Sequence, residues 1–163
     1  MSLKKILSNA ARLKSIPRTG WVESGIANPE SVSEHSYEVA ALASIIADNL
    51  SLDHSKLVRA ALVHDLGESV TGDIPFKTDE QAEKERTALE KILEPLVSKE
   101  LYLEKLTPEE EAVLKFADNF SMLNQAKEYQ KGHKSEKLEQ IIKTAKANLK
   151  ECTDKFPGLK KFL

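Results

Sequence analysis

The chain reads as an all-α protein, a helical bundle of roughly six or seven helices. Every sustained apolar pattern in it repeats at helical spacing, and no segment alternates convincingly with the period of a strand. There is also no internal repeat or low-complexity tract that would point to a solenoid or a disordered chain. With 163 residues, 40% of them hydrophobic, the chain can bury one continuous core, and a single domain over residues 1–163 is expected.

Leu3, Ile6, Leu7, Ala10 and Leu13 recur at helical spacing and predict a first, core-packing helix. Pro17, Gly20, Gly25 and Pro29 then punctuate a loop from about residue 16 to 30, which carries Arg18 and Trp21. Ser31 with Glu34 three residues later makes a capping-box pattern, and Val39, Leu42, Ile46 and Leu50 carry a second helix. Asp53 caps a third, whose apolar residues Leu57, Ala60, Ala61 and Leu62 give way to Gly67 and Gly72. The segment from 78 to 97 has charged faces around Leu89, Ile92, Leu93 and Leu96. Thr107, Pro108 and Glu110 start a further helix that runs to about Tyr129. Gly132 interrupts it, and Leu138, Ile141, Ile142, Ala145 and Leu149 define a C-terminal helix over about 134–151.

The formal net charge is only −2, with Lys and Arg scattered among Asp and Glu, so no basic stripe is available to neutralise a nucleic-acid backbone. Polymeric nucleic acid is not an expected partner. Cys152 is the single cysteine, which excludes an internal disulfide and a cysteine pair for zinc, and fits a reducing, cytoplasmic setting. No apolar run has the form of a signal peptide or a membrane span.

Chemistry concentrates at four polar residues in apolar helical surroundings. His64 and Asp65 end the third apolar helix, where an imidazole and a carboxylate are expensive to bury without partners. His35 lies on the line continued by Val39, Leu42 and Ile46, and so should point inward. Asp118 lies in the apolar stretch VLKFADNFSML, one turn from Leu114 and Met122. Taken singly, each is more simply a hydrogen-bonded core histidine, a cap or an ion-pair partner. Together they bring imidazole nitrogens and carboxylate oxygens from three helices to one interior, a donor set suited to a divalent cation.

That ordered set of a His, a His-Asp doublet and a distal Asp, all on helices, resembles the HD-domain superfamily of metal-dependent phosphohydrolases. The strings RTGW, ESVSEHS, ALVHDLGESVTGDIP and KFADNFSMLNQAKEY are similar to its 5′-deoxynucleotidase branch, over residues from about 3 to 130. The resemblance implies His35, His64, Asp65 and Asp118 as ligands of one divalent ion (Mn²⁺, Co²⁺, Fe²⁺, Ni²⁺, Zn²⁺ or Mg²⁺), and Glu68 as the residue acting on the attacking water. Glu68 follows His64 by four residues and Asp65 by three, so the three side chains share a face if the helix continues that far. Otherwise Glu68 is an exposed acid at a helix C-terminus, a position the macrodipole disfavours.

The resemblance further assigns Arg18 to the substrate phosphate, Trp21 to the sugar and Asp73 to a sugar hydroxyl. The residues themselves leave alternatives open: a solvated arginine after Pro17, a tryptophan plugging the core, and an aspartate serving turn chemistry after Gly72. The activity implied is hydrolysis of 2′-deoxynucleoside 5′-monophosphates, with homodimerisation suggested by the family. Hydrolysis of another small phosphorylated nucleotide, or a non-catalytic binding module on the same fold, are the competing readings.

Overall fold

The computed structural model describes residues 3–75, 77–94, 96 and 99–163. Among them the helices are α1 (Leu3–Leu13), α2 (Thr19–Glu23), α3 (Val32–Leu50), α4 (His54–Val63), α5 (Glu68–Thr71), α6 (Asp79–Leu93), α7 (Lys99–Tyr102), α8 (Pro108–Gln130) and α9 (Glu136–Lys155), with a 3₁₀ segment at Pro157–Phe162. Six of them, α1, α3, α4, α6, α8 and α9, have ten residues or more and make up the bundle expected from the apolar periodicity. The short α2, α5 and α7 lie in segments too brief to show a period. No strand occurs among the described residues; one antiparallel bridge joins Pro17 to Ser31.

Side-chain caps set the boundaries of the long helices. Ser31 with Glu34 and Thr107 with Glu110 form the two reciprocal capping boxes expected, and Asp53 accepts from the Lys56 amide. Thr78 with Gln81 makes a third box at the start of α6, and Ser135 caps α9. Positions 95, 97 and 98, where the 78–97 segment ends, lie outside the described residues.

α8 is the central element, packed between α3 and α9, while α4 lies along α3. Their shared core contains Val39, Ile46, Leu57, Val113, Phe116 and Leu149. A second apolar cluster joins Leu13, Val32, Val63, Leu66, Ile92 and Leu93 beneath α1 and α6. α1 departs from expectation: Leu13 is buried, but Leu3 and Leu7 are 62% and 70% exposed and Ala10 is exposed as well. Its helical period is right, but it lies at the edge of the molecule, where Ile6 and Leu13 meet the second cluster while Leu3, Leu7 and Ala10 face outward. None of the helices among the described residues is long and apolar enough to cross a membrane.

Candidate functional site

His35 projects from α3 into the space between α3, α4 and α8 and is fully buried. Its Nε2 lies 2.9 Å from Asp118 Oδ1 on α8. Behind it, Ser121 Oγ sits 3.4 Å from Nδ1 and donates a 2.7 Å hydrogen bond to Glu38 Oε2, a polar chain that fixes the plane of the imidazole. His64 follows the last turn of α4, with Nδ1 2.7 Å from the Ala61 carbonyl. With Nδ1 donating there, Nε2 is the nitrogen left to exchange a proton for a metal. That atom is buried and makes no hydrogen bond, although Asp65 Oδ2 lies 3.2 Å away.

Ligand atoms of His35, His64 and Asp118 all lie within 4.8 Å of one another. Burial disfavours charge on His64, but the carboxylates of Asp65 and then Asp118 outweigh it, and the protein's own groups hold the ring protonated up to about pH 9. Burial likewise opposes ionisation of Asp118, and the His35 hydrogen bond reverses this, keeping the carboxyl below its ordinary range. A buried imidazole nitrogen that makes no hydrogen bond, beside a second imidazole and carboxylates, fits a divalent ion with mixed nitrogen and oxygen ligation.

Asp65 stands beside this trio and is shared with another network. Burial disfavours its charge, yet His64 and then Arg18 hold it well below the usual carboxylate range. Arg18 Nη1 lies 3.2 Å from Asp65 Oδ2 and 3.3 Å from Asp73 Oδ1. Asp73 also accepts from the Thr19 amide, and its carbonyl accepts a 2.7 Å hydrogen bond from Thr19 Oγ1. Asp73 therefore clamps the start of α2 to the loop after Gly72, more than a local turn would require.

Glu68 differs from expectation in how it is placed. α4 stops at Val63, residues 64–67 turn, and Glu68 begins the short α5, so no continuous helix face carries His64, Asp65 and Glu68. Nor is Glu68 an exposed C-terminal acid: the turn delivers it to the interior at 1% exposure. Burial, followed by the Asp65 charge, pushes its carboxyl up to about 8 against the opposing pull of Lys77. Oε1 accepts from Lys77 Nζ at 2.7 Å, and Oε2 is buried without a hydrogen-bond partner. Lys77 also pairs with Glu85 of α6 at 2.5 Å. Sequence reasoning missed Lys77, Glu85, Ser121 and Glu38, whose roles depend on contacts between elements distant along the chain.

A cavity of about 410 Å³ opens over this chemistry. Arg18, His64, Asp65, Glu68, Asp73 and Asp118 contribute to one side of it. The wall is completed by residues of α8 and α9, including Asn119, Gln140, Thr144 and Asn148, the last three on a helix that showed only an apolar pattern in sequence. Trp21 reaches the cavity wall while 2% exposed; its Nε1 donates to Glu30 Oε1 at 2.8 Å and its ring meets Tyr129 edge-on at 5.4 Å. It packs with Ala126 and Leu138, so the indole is firmly seated and offers little of its surface to the cavity.

An all-α bundle that gathers two histidines and a carboxylate beneath a cavity carrying Arg18, Glu68 and Asp73 has the architecture of the helical metallo-phosphohydrolase class. The match to the HD domain family model over residues 10–158 agrees, and the chain belongs to that family. It is 38% identical over 141 residues to the human 5′-deoxynucleotidase HDDC2, covering 79% of this chain and 69% of the relative. The Schizosaccharomyces pombe 5′-deoxynucleotidase hdd1 is 34% identical over 154 residues, covering 84% and 77%. A crystal structure from Pyrococcus horikoshii matches with a TM-score of 0.75 at 30% identity, over 98% of this chain and 97% of that one. A conserved hypothetical protein from Pyrococcus furiosus matches with a TM-score of 0.74 at 33% identity, covering 90% and 88%.

Proposed function

We propose that this chain, acting as a single domain, is a divalent-metal-dependent 5′-deoxynucleotidase that converts 2′-deoxynucleoside 5′-monophosphates to deoxynucleosides and phosphate. The carrying observation is the buried His64 Nε2, which faces Asp65 at 3.2 Å and lies within 4.8 Å reach of His35 and Asp118, at the foot of a cavity that also holds Arg18 and Glu68. The relatives named 5′-deoxynucleotidases supply the substrate class.

His35, His64 and Asp118 would hold the ion, joined by Asp65, which lies against His64. When bound, a divalent ion supplies Lewis-acid polarisation of phosphoryl oxygens and acidifies water. Arg18 offers a guanidinium that neutralises the phosphate and orients it for in-line attack. Glu68, whose ionised carboxylate offers an oxygen without a hydrogen-bond partner, takes a proton from the attacking water and returns it to the leaving 5′-oxygen. Asp73 accepts from a sugar hydroxyl while keeping Arg18 in place, and the seated indole of Trp21 limits room at the 2′ position.

Phosphate release from matched deoxy- and ribonucleoside monophosphates, each with Mn²⁺, Co²⁺, Fe²⁺, Ni²⁺, Zn²⁺ or Mg²⁺ and with chelator, tests the proposal. Metal-dependent turnover that favours deoxy substrates is expected; chelator-resistant turnover, or none of any monophosphate, overturns it. The same reading places the enzyme in the cytoplasm. The same reading includes homodimerisation, and light scattering at micromolar concentration checks it.

A further inference from the structure

A carboxylate buried to 1% exposure among other acids does not keep one oxygen free without a partner to hold the other. Carboxylate oxygens of Asp65, Glu68 and Glu85 lie within 4.8 Å of one another, close enough for strong mutual repulsion if all are ionised. Lys77 places its ammonium among them, 2.7 Å from Glu68 Oε1 and 2.5 Å from Glu85 Oε2. It engages one oxygen of Glu68 and leaves Oε2 unpartnered.

Glu85 is held in turn by the backbone. α6 approaches the 64–67 turn so closely that a Cβ on Gly67 would lie 2.6 Å from the Glu85 carbonyl oxygen and 2.7 Å from its Cγ. Lys77 lines the cavity, whereas Glu85 lies behind the cavity wall. A lysine on a flexible four-carbon stem gains a defined position from two carboxylates that one alone would not give.

We propose that Lys77 and Glu85 are positioning residues for the hydrolysis: Lys77 grips Glu68 Oε1 so that Oε2 faces the reacting water, and Glu85 anchors Lys77. This rests on the reading of Glu68 as the acid–base group. A direct contact between Lys77 and the substrate phosphate is the competing account. It differs in that it would act on KM, and would do so whether or not Glu68 is present.

The test is kcat, KM and bound metal for Lys77→Met, Lys77→Arg and Glu85→Gln, with the Met and Gln changes repeated in a Glu68→Gln background. Lys77→Met should lower kcat about 10- to 100-fold and Glu85→Gln about 3- to 10-fold, with KM within about threefold and metal content unchanged. Lys77→Arg should recover part of the loss. In the Glu68→Gln background neither change should alter kcat by more than about twofold, because the group being positioned has gone. Equal losses in both backgrounds, or effects confined to KM, would overturn the positioning role while leaving Glu68 in the mechanism; unchanged turnover of Glu68→Gln alone would overturn both.

Discussion

The two charged clusters of this site stand on different supports. His35 projects from the first turn of α3 and Asp118 from the middle of α8, and His64 caps the C-terminus of α4, so their positions follow from how α3, α4 and α8 pack. Glu68 and Lys77 sit instead on a four-residue helix and the loop after it, and are held by ion pairs and by α6 pressing on Gly67, while Asp65 on the preceding turn adjoins both groups. Packed helices give a rigid ligand set; the turn and loop give groups whose placement depends on their charged neighbours. The first arrangement suits metal affinity, and the second suits proton transfer, where a modest change in orientation alters rate rather than binding.

The sharpest way to break this contrast is to remove a helix-borne ligand. Asp118→Ala should lose bound metal by elemental analysis and lose more activity than the roughly 10⁴-fold upper range of general acid–base effects. Full metal occupancy in that variant would dissolve the helix-borne cluster as a metal site. Glu68→Gln should retain the metal and still fall about 10²- to 10⁴-fold in kcat. Loss of metal there would merge the two clusters into one.

Smaller effects sharpen the comparison. Ser121→Ala breaks the chain from Glu38 to His35 and should weaken metal affinity or activity about 10- to 100-fold, measured by chelator competition. Wild-type affinity in that variant would show that packing alone orients His35. The pH dependence of metal binding follows from His64, whose charge persists up to about pH 9 in the metal-free protein. The ion must displace that proton, so each unit below 9 removes about nine-tenths of the deprotonated form, and apparent affinity should fall about tenfold per unit between pH 8 and 6. A flat profile would mean that His64 is neutral there. The smallest effect is expected at Trp21→Phe, which keeps an aromatic plug and trims the cavity wall. The ratio of kcat/KM for a deoxy and ribo pair should narrow by about a few-fold at most, because the buried indole offers little surface to the cavity and a pocket only weakly rejects an added hydroxyl. An unaltered ratio would leave Trp21 as packing for Tyr129 and Leu138 alone.

By itself the sequence determined the long helices and the inward direction of the metal-binding candidates, because both are local consequences of periodicity and caps. Val39 and Ile46 on the line of His35, and the capping boxes at Ser31 and Thr107, act within a few residues of where they are read. Where the signal was local but the partner distant, tertiary structure decided. α1 has a helical apolar pattern yet exposes Leu3 and Leu7, since no element among the described residues covers that face. Trp21 could equally have been a plug or a sugar contact; its neighbours Tyr129 and Leu138, over 100 residues away, seat it in the core at the cavity's edge. Glu68 was recognisable as a candidate, but its burial comes from the chain turning at residues 64–67, and its lone unpartnered oxygen comes from Lys77 and Glu85. Ionic placement of that kind depends on distances across the fold, and the order of residues along a chain does not carry those distances.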